Sequence, residues 1–406
     1  MPQGHDLNRL DKYGLVKGRE APLKQAPASK EPIPKLTTTV IPSCSKFLQE
    51  PVNEHIRRLD LGIDLFALLG KNQALEGFDI MNSVFLDFET TGLSGGAGTM
   101  IFLFGAAAFE KEGLVIKQYF LDSPGREREI LREIKALLLD KRHLITFNGK
   151  SYDMQILNSR LNFNKMGALA PGDLKHFDLL HSARRILKQR LSSFSLQEIE
   201  REIFGEARPA DIPSSEIPYA YFRYMRTRRT DEMELVIRHN REDILSMVYL
   251  LEKMTCIVSA KDGQGQEPCY YLPLAKLYDF AGREERALYY YTAALENDAP
   301  GHAEAVKRLC HLYKKRADHG KAEKLLFTYK KRTRGGDPYP YIELAKLYEH
   351  AFRDYGKALA EIEELTLKEE FLRTAGELET GGILLLENLQ KRRSRLLRKL
   401  SFRGHD

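Results

Sequence analysis

The pattern of hydrophobic and polar positions changes abruptly near residue 83. Three apolar runs follow one another at short intervals: SVFLDFE from Ser83, MIFLFGAAAFE from Met100 and LVIKQYFLD from Leu114. Each run has the length of a β-strand, and glycines near the joints favour tight turns between them. The pattern therefore predicts three strands in an antiparallel meander.

A helical period replaces the strand-like pattern after the third run. Apolar residues recur at helical spacing in residues 126–140, and a fourth strand-like run, HLITFN, follows at residues 143–148. Helical periods dominate the segments beyond it. Three strands, a helix, a fourth strand and further helices are typical of an α/β domain. We therefore predict a mixed sheet flanked by helices over residues 80–257.

The C-terminal part of the sequence repeats itself. The pentapeptide LAKLY occurs at residues 274–278 and again at residues 344–348. Tyrosines 35 residues apart and small residues 35 or 36 residues apart mark the same repeat: Tyr278, Tyr313 and Tyr348, and Ala287, Ala322 and Ala358. This period is close to the roughly 34 residues of a tetratricopeptide repeat, whose helix pairs stack on their neighbours. We predict an all-α, tetratricopeptide-like domain over residues 269–400, with a plain helical bundle as the alternative.

Three segments differ in composition from the rest of the chain. Residues 1–50 are rich in Pro, Ser, Thr and Lys without a regular period, so we predict a disordered or extended tail. Residues 258–268 are polar and glycine-rich, and we predict a linker there. The segment KRRSRLLRK at residues 391–399 carries six basic residues in nine. It predicts a basic C-terminal helix that is either a solvated surface or a contact for phosphates.

The composition is that of a globular protein large enough for two domains. Of the 406 residues, 43% are hydrophobic and 30% are charged, and no apolar run approaches the roughly 18 residues of a membrane span. The N-terminus lacks the apolar stretch of a secretory signal, so we expect a cytoplasmic protein with no membrane partner. The net charge of +6 permits a nucleic-acid partner without requiring one. Four scattered cysteines without CxxC spacing argue against a zinc ribbon or a disulfide framework.

The first strand-like run ends in two acids separated by one residue. Side chains at positions i and i+2 of a strand share a face, so Asp87 and Glu89 direct two carboxylates to one place while Phe88 turns into the core. Two carboxylates held so close repel each other and stay ionised only beside a cation. The pair therefore predicts a metal site, provided that other parts of the chain supply further ligands.

Two further motifs supply candidates for these ligands. Asp153 follows the fourth strand-like run and opens a helix at the carboxyl edge of the predicted sheet, where sites form in open α/β sheets. It also fits an N-cap, a common position for Asp. His239 and Asp243 are four residues apart in a predicted helix and share a face, which suits a general base beside a metal ligand. The alternative for this pair is a polar helix surface.

Taken in order, the segments DFETTGL, NGKSYD and HNRED resemble the three motifs of the DEDD exonuclease superfamily, which has the RNase H-like fold. The resemblance implies a metal-dependent 3′→5′ exonuclease in which two Mg²⁺ or Mn²⁺ ions are held by four acids: Asp87, Glu89, Asp153 and Asp243. It also implies that His239 is the general base. One departure is that this histidine lies four residues before the last aspartate, whereas five is usual in the histidine-type branch.

The nuclease-like region followed by tetratricopeptide-like repeats resembles the bacterial YprB-type family, also called mitomycin repair factor B. That resemblance implies hydrolysis of phosphodiester bonds at single-stranded or 3′ DNA ends, in DNA repair alongside a helicase, and association with the nucleoid when DNA is bound. A helicase or another repair protein is then the expected partner of the repeats. Two alternatives stay open: a 3′→5′ exoribonuclease, and an adaptor whose nuclease domain is inactive.

Candidate substrate contacts lie in three places. By the same resemblance, residues of the loop after the first motif line the site for the terminal nucleotide: Thr91, Gly92 and Leu93. Asn148, at the end of the fourth strand-like run, is a further candidate. The segment YAYFRYMRTRR at residues 219–229 interleaves tyrosine and arginine, as sites for single-stranded nucleic acid do. Its candidates are Arg223, Tyr224 and Arg226. The alternative for this segment is a helix with an aromatic core face and a basic outer face.

Overall fold

A computed structural model describes residues 36–41, 64–92, 98–110, 113–170, 172–208, 211–260, 266–334, 336–375 and 380–403 of the chain. The chain divides into two compact units, Met1–Arg283 and Glu284–Asp406. Within the described ranges, the first unit contains one six-stranded sheet with helices, and the second contains helices only. None of the helices in these ranges combines the length and the apolar character needed to cross a membrane.

The sheet of the first unit has mixed strand directions, as predicted. Its strands are β1 (Leu36–Ile41), β2 (Ser83–Thr90), β3 (Ile101–Glu110), β4 (Gly113–Phe120), β5 (His143–Thr146) and β6 (Lys175–Asp178). They lie in the order β1-β4-β3-β2-β5-β6. Strands β2, β3 and β4 form an antiparallel meander, whereas β5 and β6 run parallel to β2. The carboxyl ends of β2, β5 and β6 therefore meet at one edge of the sheet, where sites form in open α/β sheets.

Strand β1 lies inside the segment predicted to be a disordered tail. Its sequence, LTTTVI, is rich in β-branched residues, which favour extended backbone. It pairs antiparallel with β4, from Leu36 opposite Tyr119 to Ile41 opposite Leu114, and satisfies the backbone groups of that edge. The disordered alternative is therefore wrong for residues 36–41, which are extended and paired in the sheet, and the rest of residues 1–50 lies outside the described part of the chain.

Strand β6 lies in a stretch whose sequence pattern predicts only helix. Its four residues pair in parallel register with β5, and helix begins directly afterwards at Leu179. Four residues are too few to show a period of two, so pairing with β5 decides the strand rather than local pattern. This correction matters for function because β6 ends at the same sheet edge as β2.

Helices cover both faces of the sheet. Those described in the first unit are α1 (Leu65–Gly70), α2 (Glu127–Lys141), α3 (Asp153–Phe163), α4 (Leu179–Leu187), α5 (Leu196–Ile199, continued by a π-helical turn, Glu200–Phe204), α6 (Ile217–Thr227), α7 (Asp231–Ser259) and α8 (Tyr271–Phe280). Apolar residues of α2 and α3 pack on the face that carries Phe88. Helices α6 and α7 pack on Phe102 and Phe120 of the other face. Because side chains alternate along β2, Asp87 and Glu89 point towards the α7 side.

The second unit is helical, as predicted. Its described helices are α9 (Glu284–Glu296), α10 (His302–Lys315), α11 (His319–Arg332), α12 (Tyr339–Leu347, continued by a π-helical turn, Tyr348–Phe352), α13 (Tyr355–Thr374) and α14 (Thr380–Arg403). The three small residues of the predicted repeat, Ala287, Ala322 and Ala358, are all 0% exposed. The tetratricopeptide repeat itself stays a prediction. The division between the units follows Arg283, so α8, which carries the first LAKLY, belongs to the first unit rather than to the predicted domain of residues 269–400.

The basic run of α14 is held by an acid of its own unit. The Glu349 side chain is 0% exposed and contacts three cations of the run: Arg392, Arg395 and Lys399. Although burial opposes ionisation, hydrogen bonds from Arg395 and Lys399 lower the pKa of Glu349 to about 2. Arg393 of the run pairs with Glu363 of α13 as well, so four of the six basic side chains make ion pairs within the unit. This arrangement favours a structural role for the run over contacts with phosphates.

Candidate active site

The two acids of β2 lie on one side of the sheet, as the strand period predicts. Phe88 between them is 7% exposed and packs edge-to-face on Phe104, with ring centroids 4.8 Å apart. Asp87 and Glu89 are half-buried. The pairing of β2 with β3 shifts register between Glu89 and Thr90, an irregularity common beside active sites because it redirects side chains.

Asn240 of α7 holds the Asp87 carboxylate in place. Its Nδ2 donates to Asp87 Oδ2 at 2.8 Å and to the Asp87 carbonyl at 3.2 Å, while its Oδ1 accepts from Gln118 Nε2 at 2.9 Å. This close approach needs glycine at position 105, because a Cβ on Gly105 would lie 2.2 Å from Asn240 Oδ1. Asn240 is absent from the site residues predicted from sequence, although it lies inside the HNRED motif.

Asp153 reaches the same edge of the sheet from the first turn of α3. The N-cap of α3 is Tyr152 and no side chain caps the helix, so the N-cap alternative for Asp153 is wrong. The Tyr152 hydroxyl donates to the Gly92 carbonyl at 2.6 Å and lies 3.4 Å from Thr90 Oγ1, which ties the start of α3 to the end of β2. The Asp153 side chain is 8% exposed and has no hydrogen-bond or ion-pair partner among the described residues.

Asp178, at the end of β6, is a further acid at this edge. Its carboxylate accepts hydrogen bonds from the backbone N–H groups of Asn148, at 2.9 Å, and Lys150, at 3.1 Å, and it also caps α4. These bonds hold the turn after β5, in which Asn148 adopts a left-handed conformation with φ 65°. Asp178 therefore shapes the turn that leads to Asp153. Sequence reasoning misses it because the local pattern hides β6.

Arg208 places a buried positive charge among three acids near the site: Glu200, Asp211 and Asp243. Its guanidinium contacts Asp243 of α7 and makes two hydrogen bonds with Glu200, one of them 2.7 Å long. It also lies 3.3 Å from Asp211 Oδ2, and its side chain is only 7% exposed. Arg208 thus fastens the segment after the π-helical turn to α7 and partly neutralises a predicted metal ligand. In the sequence it resembles an ordinary solvated arginine, so no local signal marks it.

His239 is buried, with 4% of its surface exposed, so the alternative of a polar helix surface is wrong for it. Its Nδ1 lies 2.8 Å from Asp211 Oδ1, and its Nε2 lies 3.4 Å from Asp243 Oδ2. Because Nδ1 lies so close to a carboxylate oxygen of Asp211, Nδ1 carries a proton and donates it in this hydrogen bond. The other ring nitrogen, Nε2, then faces Asp243. Burial opposes ionisation of Asp211, but the hydrogen bond from His239 keeps its pKa below the ordinary value. Asp211 is therefore a positioning residue for His239, and sequence reasoning does not find it.

The four predicted metal ligands repel one another. Burial raises the pKa of Asp87 and of Glu89 well above their ordinary values, and nearby carboxylates, Asp243 and Asp153 among them, raise both further. Burial and a neighbouring carboxylate raise the pKa of Asp153 to about 7. Burial also raises the pKa of Asp243. Acids from β2, α3 and α7 are therefore close enough to influence one another's ionisation.

The chemistry of this donor set fits a hard divalent cation. Mg²⁺ and Mn²⁺ prefer carboxylate oxygens, and Glu89, like Asp153, has no hydrogen-bond or ion-pair partner in the described ranges. Across the same ranges, however, no three Asp, Glu, His or Cys side chains have the arrangement of a finished metal site. The acids lie near one another but their oxygens do not converge on a single point. One carboxylate oxygen of Asp243 is also paired with Arg208.

An open cleft of about 290 Å³ lies beside Glu89. Glu89 and Thr90 of β2 line it together with Tyr152, and Ile217 and Pro218 of α6 form part of its wall. The cleft is therefore bounded by an acid of the first motif, by the start of the helix that carries Asp153, and by the start of α6.

The predicted contacts after β2 are held by local hydrogen bonds. The Gly92 carbonyl accepts from the hydroxyls of Thr90, at 2.8 Å, and Tyr152. Thr91 pairs with Met100 through its backbone N–H and through its side-chain Oγ1, both at 2.9 Å. Leu93 lies outside the described residues. The start of this loop is therefore a fixed structure at the margin of the cleft.

Only part of the predicted tyrosine–arginine surface is exposed on α6. Tyr224 is 5% exposed and packs edge-to-face on Phe120, with ring centroids 5.3 Å apart. Its ring is not available to a base, so the prediction that Tyr224 contacts substrate is wrong. Arg223 pairs with Glu232 at 2.6 Å on the surface, and Arg226 is exposed. Tyr221 and Tyr224 form the aromatic core face of the alternative interpretation, whereas the exposed side of the helix carries Tyr219 and Phe222 beside the arginines.

Two comparisons with known proteins cover this part of the chain. A family model described as "RNase_H superfamily" matches residues 84–255, from β2 to α7. The chain is also 30% identical over 337 residues to "Uncharacterized protein YprB" of Bacillus subtilis (strain 168). That alignment covers 82% of this chain and 78% of the relative. The segment matched by the family model contains all four predicted metal ligands and His239.

Proposed function

This chain belongs to the YprB family of RNase H-like proteins, and we propose from that premise that it is a metal-dependent 3′→5′ exonuclease acting on DNA ends. The proposal is supported most directly by the grouping of acids from β2, α3 and α7, one of which, Glu89, lines an open cleft. An acid cluster of this kind destabilises the fold unless it serves a cation, and a phosphodiester needs positive charge to be attacked.

The four acids are the proposed ligands of two Mg²⁺ or Mn²⁺ ions. When bound, such ions lower the pKa of a water, neutralise the phosphate and stabilise the leaving 3′ oxygen. The chain's own residues set the positions of the ligands. Asn240 orients Asp87 by two hydrogen bonds, and the Tyr152 hydroxyl fixes the start of the helix that carries Asp153.

His239 is the proposed general base. Its Nδ1 donates to Asp211, so Nε2 carries the lone pair and is available to take a proton from the attacking water. Burial of the ring and the contact with Asp211 hold this tautomer in place. In this proposal His239 accepts the proton at Nε2, although it lies four residues before Asp243 rather than the usual five.

The proposed substrate is a strand whose 3′ end enters the cleft. Thr91 and Gly92, with Leu93 beyond them, lie beside the terminal nucleotide in this proposal, and Asn148 lies on the turn that leads to Asp153. We further propose a role in DNA repair, on the nucleoid, with a helicase or another repair protein bound by the second unit. An exoribonuclease is the rival activity, and the test below separates the two.

The test compares four proteins on end-labelled oligonucleotides. Wild type, Asp87→Asn, Asp153→Asn and the control Asp140→Asn, whose acid is exposed on α2, are incubated with single-stranded DNA, duplex DNA and matched RNA. Each reaction contains Mg²⁺, Mn²⁺ or EDTA. We expect single nucleotides to be released from the 3′ end by wild type and by the control, with a loss of about 100-fold or more in both site variants.

Three outcomes decide between the candidates. Release that persists in EDTA, or in Asp87→Asn, contradicts the metal-dependent mechanism. Release from RNA but not from DNA makes the protein an exoribonuclease. No release by wild type from any of these strands, with either metal, contradicts the proposed exonuclease activity and favours the adaptor alternative.

A further inference from the structure

The outer face of α6 carries a ridge that starts at the cleft. Residues four apart on a helix lie one above another, so Pro218, Phe222 and Arg226 form one line along α6. Pro218 lines the cleft that also contains Glu89. Phe222 is 47% exposed, and Arg226 is exposed as well. We call these three residues the α6 ridge.

Pro218 is buried at the start of α6, whereas the two exposed residues of the α6 ridge, Phe222 and Arg226, are not needed for packing of the helix. The buried face of α6 holds the core contacts: Tyr221 stacks on Phe102, with ring centroids 4.3 Å apart and planes at 8°. The Tyr221 hydroxyl also donates to the Leu121 carbonyl at 3.1 Å. The helix is therefore fixed by its buried face, and the aromatic ring of Phe222 stands on a rigid support.

The charge of the ridge suits an anionic strand. Arg226 makes no ion pair or hydrogen bond among the described residues, whereas the neighbouring Arg223 is paired with Glu232. Tyr219, 60% exposed, adds a second aromatic ring one residue beyond Pro218. Exposed aromatic rings that stack on bases, with arginines that bind phosphates, are the recurring components of sites for single-stranded nucleic acid.

We propose that the α6 ridge is a track for the single-stranded nucleic acid whose 3′ end lies in the cleft. A base near the end stacks on Phe222, and a phosphate further from the end binds Arg226. Pro218 and Arg226 are eight positions apart, about 12 Å along the helix axis, which matches about three stacked nucleotides. The strand must be single because stacking on a side chain needs a base face that a duplex covers. The proposal rests on the proposed nuclease function for the position of the 3′ end.

Binding measured without hydrolysis tests the ridge. Fluorescence anisotropy of 5′-labelled dT10 in EDTA gives the affinity of the full-length protein and of Phe222→Ala and Arg226→Ala. We expect Phe222→Ala to weaken binding by about 10-fold. We expect Arg226→Ala to weaken binding by several-fold and to reduce the slope of log affinity against log salt concentration by about 1. A blunt duplex should bind more weakly than dT10 and lose little affinity in Phe222→Ala.

Matched controls come from exposed residues elsewhere in the chain. Phe371→Ala removes a 72% exposed phenylalanine of α13, and Arg184→Ala removes an exposed arginine of α4. Both should bind dT10 like wild type. Thermal unfolding of every variant verifies that the fold is kept, as expected for exposed positions. If Phe222→Ala and Phe371→Ala bind dT10 equally well, the ridge is not a nucleic-acid track.

Hydrolysis separates failure of the ridge from failure of the nuclease assignment. The p-nitrophenyl ester of thymidine 5′-phosphate fills only the terminal site, whereas dT10 also spans the ridge. We expect Phe222→Ala to raise KM for dT10 by about 10-fold and to leave hydrolysis of the ester unchanged. Equal effects on both substrates overturn the ridge and leave the nuclease intact. A wild type that hydrolyses neither overturns the nuclease, and the anisotropy result still decides whether the ridge binds single strands.

Discussion

Replacing Asp153 by asparagine should stabilise the metal-free protein at alkaline pH. Burial and the charge of Asp178 raise the pKa of Asp153 from 3.8 to about 7. The folded state therefore prefers the protonated carboxyl, and the stability gained from it is complete below about pH 4 and lost as the pH rises through 7. At about 1.4 kcal/mol for each pH unit, the loss approaches 4 kcal/mol at pH 8. Asparagine keeps the shape without the charge, so the variant escapes most of this loss.

Thermal unfolding in EDTA between pH 5 and pH 8 measures the effect. We expect Asp153→Asn to unfold about 5–10 °C above wild type at pH 8, and the difference to fall below half of that at pH 5, where the wild type has lost only about 1.6 kcal/mol. The control Asp140→Asn should follow wild type at every pH. Mg²⁺ or Mn²⁺ should raise the Tm of wild type at pH 8 and have much less effect on Asp153→Asn, because the variant lacks one proposed ligand. A variant less stable than wild type at pH 8, or a difference that does not change with pH, would refute the reasoning.

Three further predictions concern buried contacts of the first unit. Arg160→Met leaves the Glu127 carboxylate buried without its cation, since both side chains are 6% exposed, and we expect urea unfolding to show a loss of about 3–5 kcal/mol. Gly105→Ala places a Cβ against Asn240, so we expect a loss of about 1–3 kcal/mol in the same assay and a several-fold lower exonuclease rate, whereas unchanged activity would contradict the role given to Asn240. Arg208→Met removes a positive charge beside the proposed ligands, so titration calorimetry should show Mn²⁺ bound about tenfold more tightly, and weaker binding would mean that Arg208 supports the metal site instead.

Much of the fold and several candidate site residues can be predicted from local sequence pattern. The period of two in SVFLDFE places Asp87 and Glu89 on one face and Phe88 on the other, which the packing of Phe88 on Phe104 confirms. Helical periods and the repeated LAKLY predict the helical second unit, and the meander predicts the first three core strands of the mixed sheet. These features are readable because each depends on residues within a few positions of one another along the chain.

The partners of the acids depend on contacts between distant segments. Asn240 meets Asp87, Asp211 meets His239, and Arg208 meets Asp243 across 153, 28 and 35 residues. No local period encodes such pairs, because the packing of whole helices against the sheet brings them together.

The sequence by itself determined which side chains are candidates for the chemistry: the acids of three motifs, a histidine, and a helix rich in aromatic and basic residues. Only the tertiary structure decided how each is used. The same helix could bury Tyr224 or Phe222, and its rotation on β3 and β4 buries the first and exposes the second. Likewise β6 exists only through pairing with β5, and that pairing brings Asp178 to the site. The identity of a side chain can be read from the sequence, whereas its burial and its distance from other side chains depend on how the whole chain packs. Packing therefore sets the ionisation of a side chain, its exposure and the groups that it contacts.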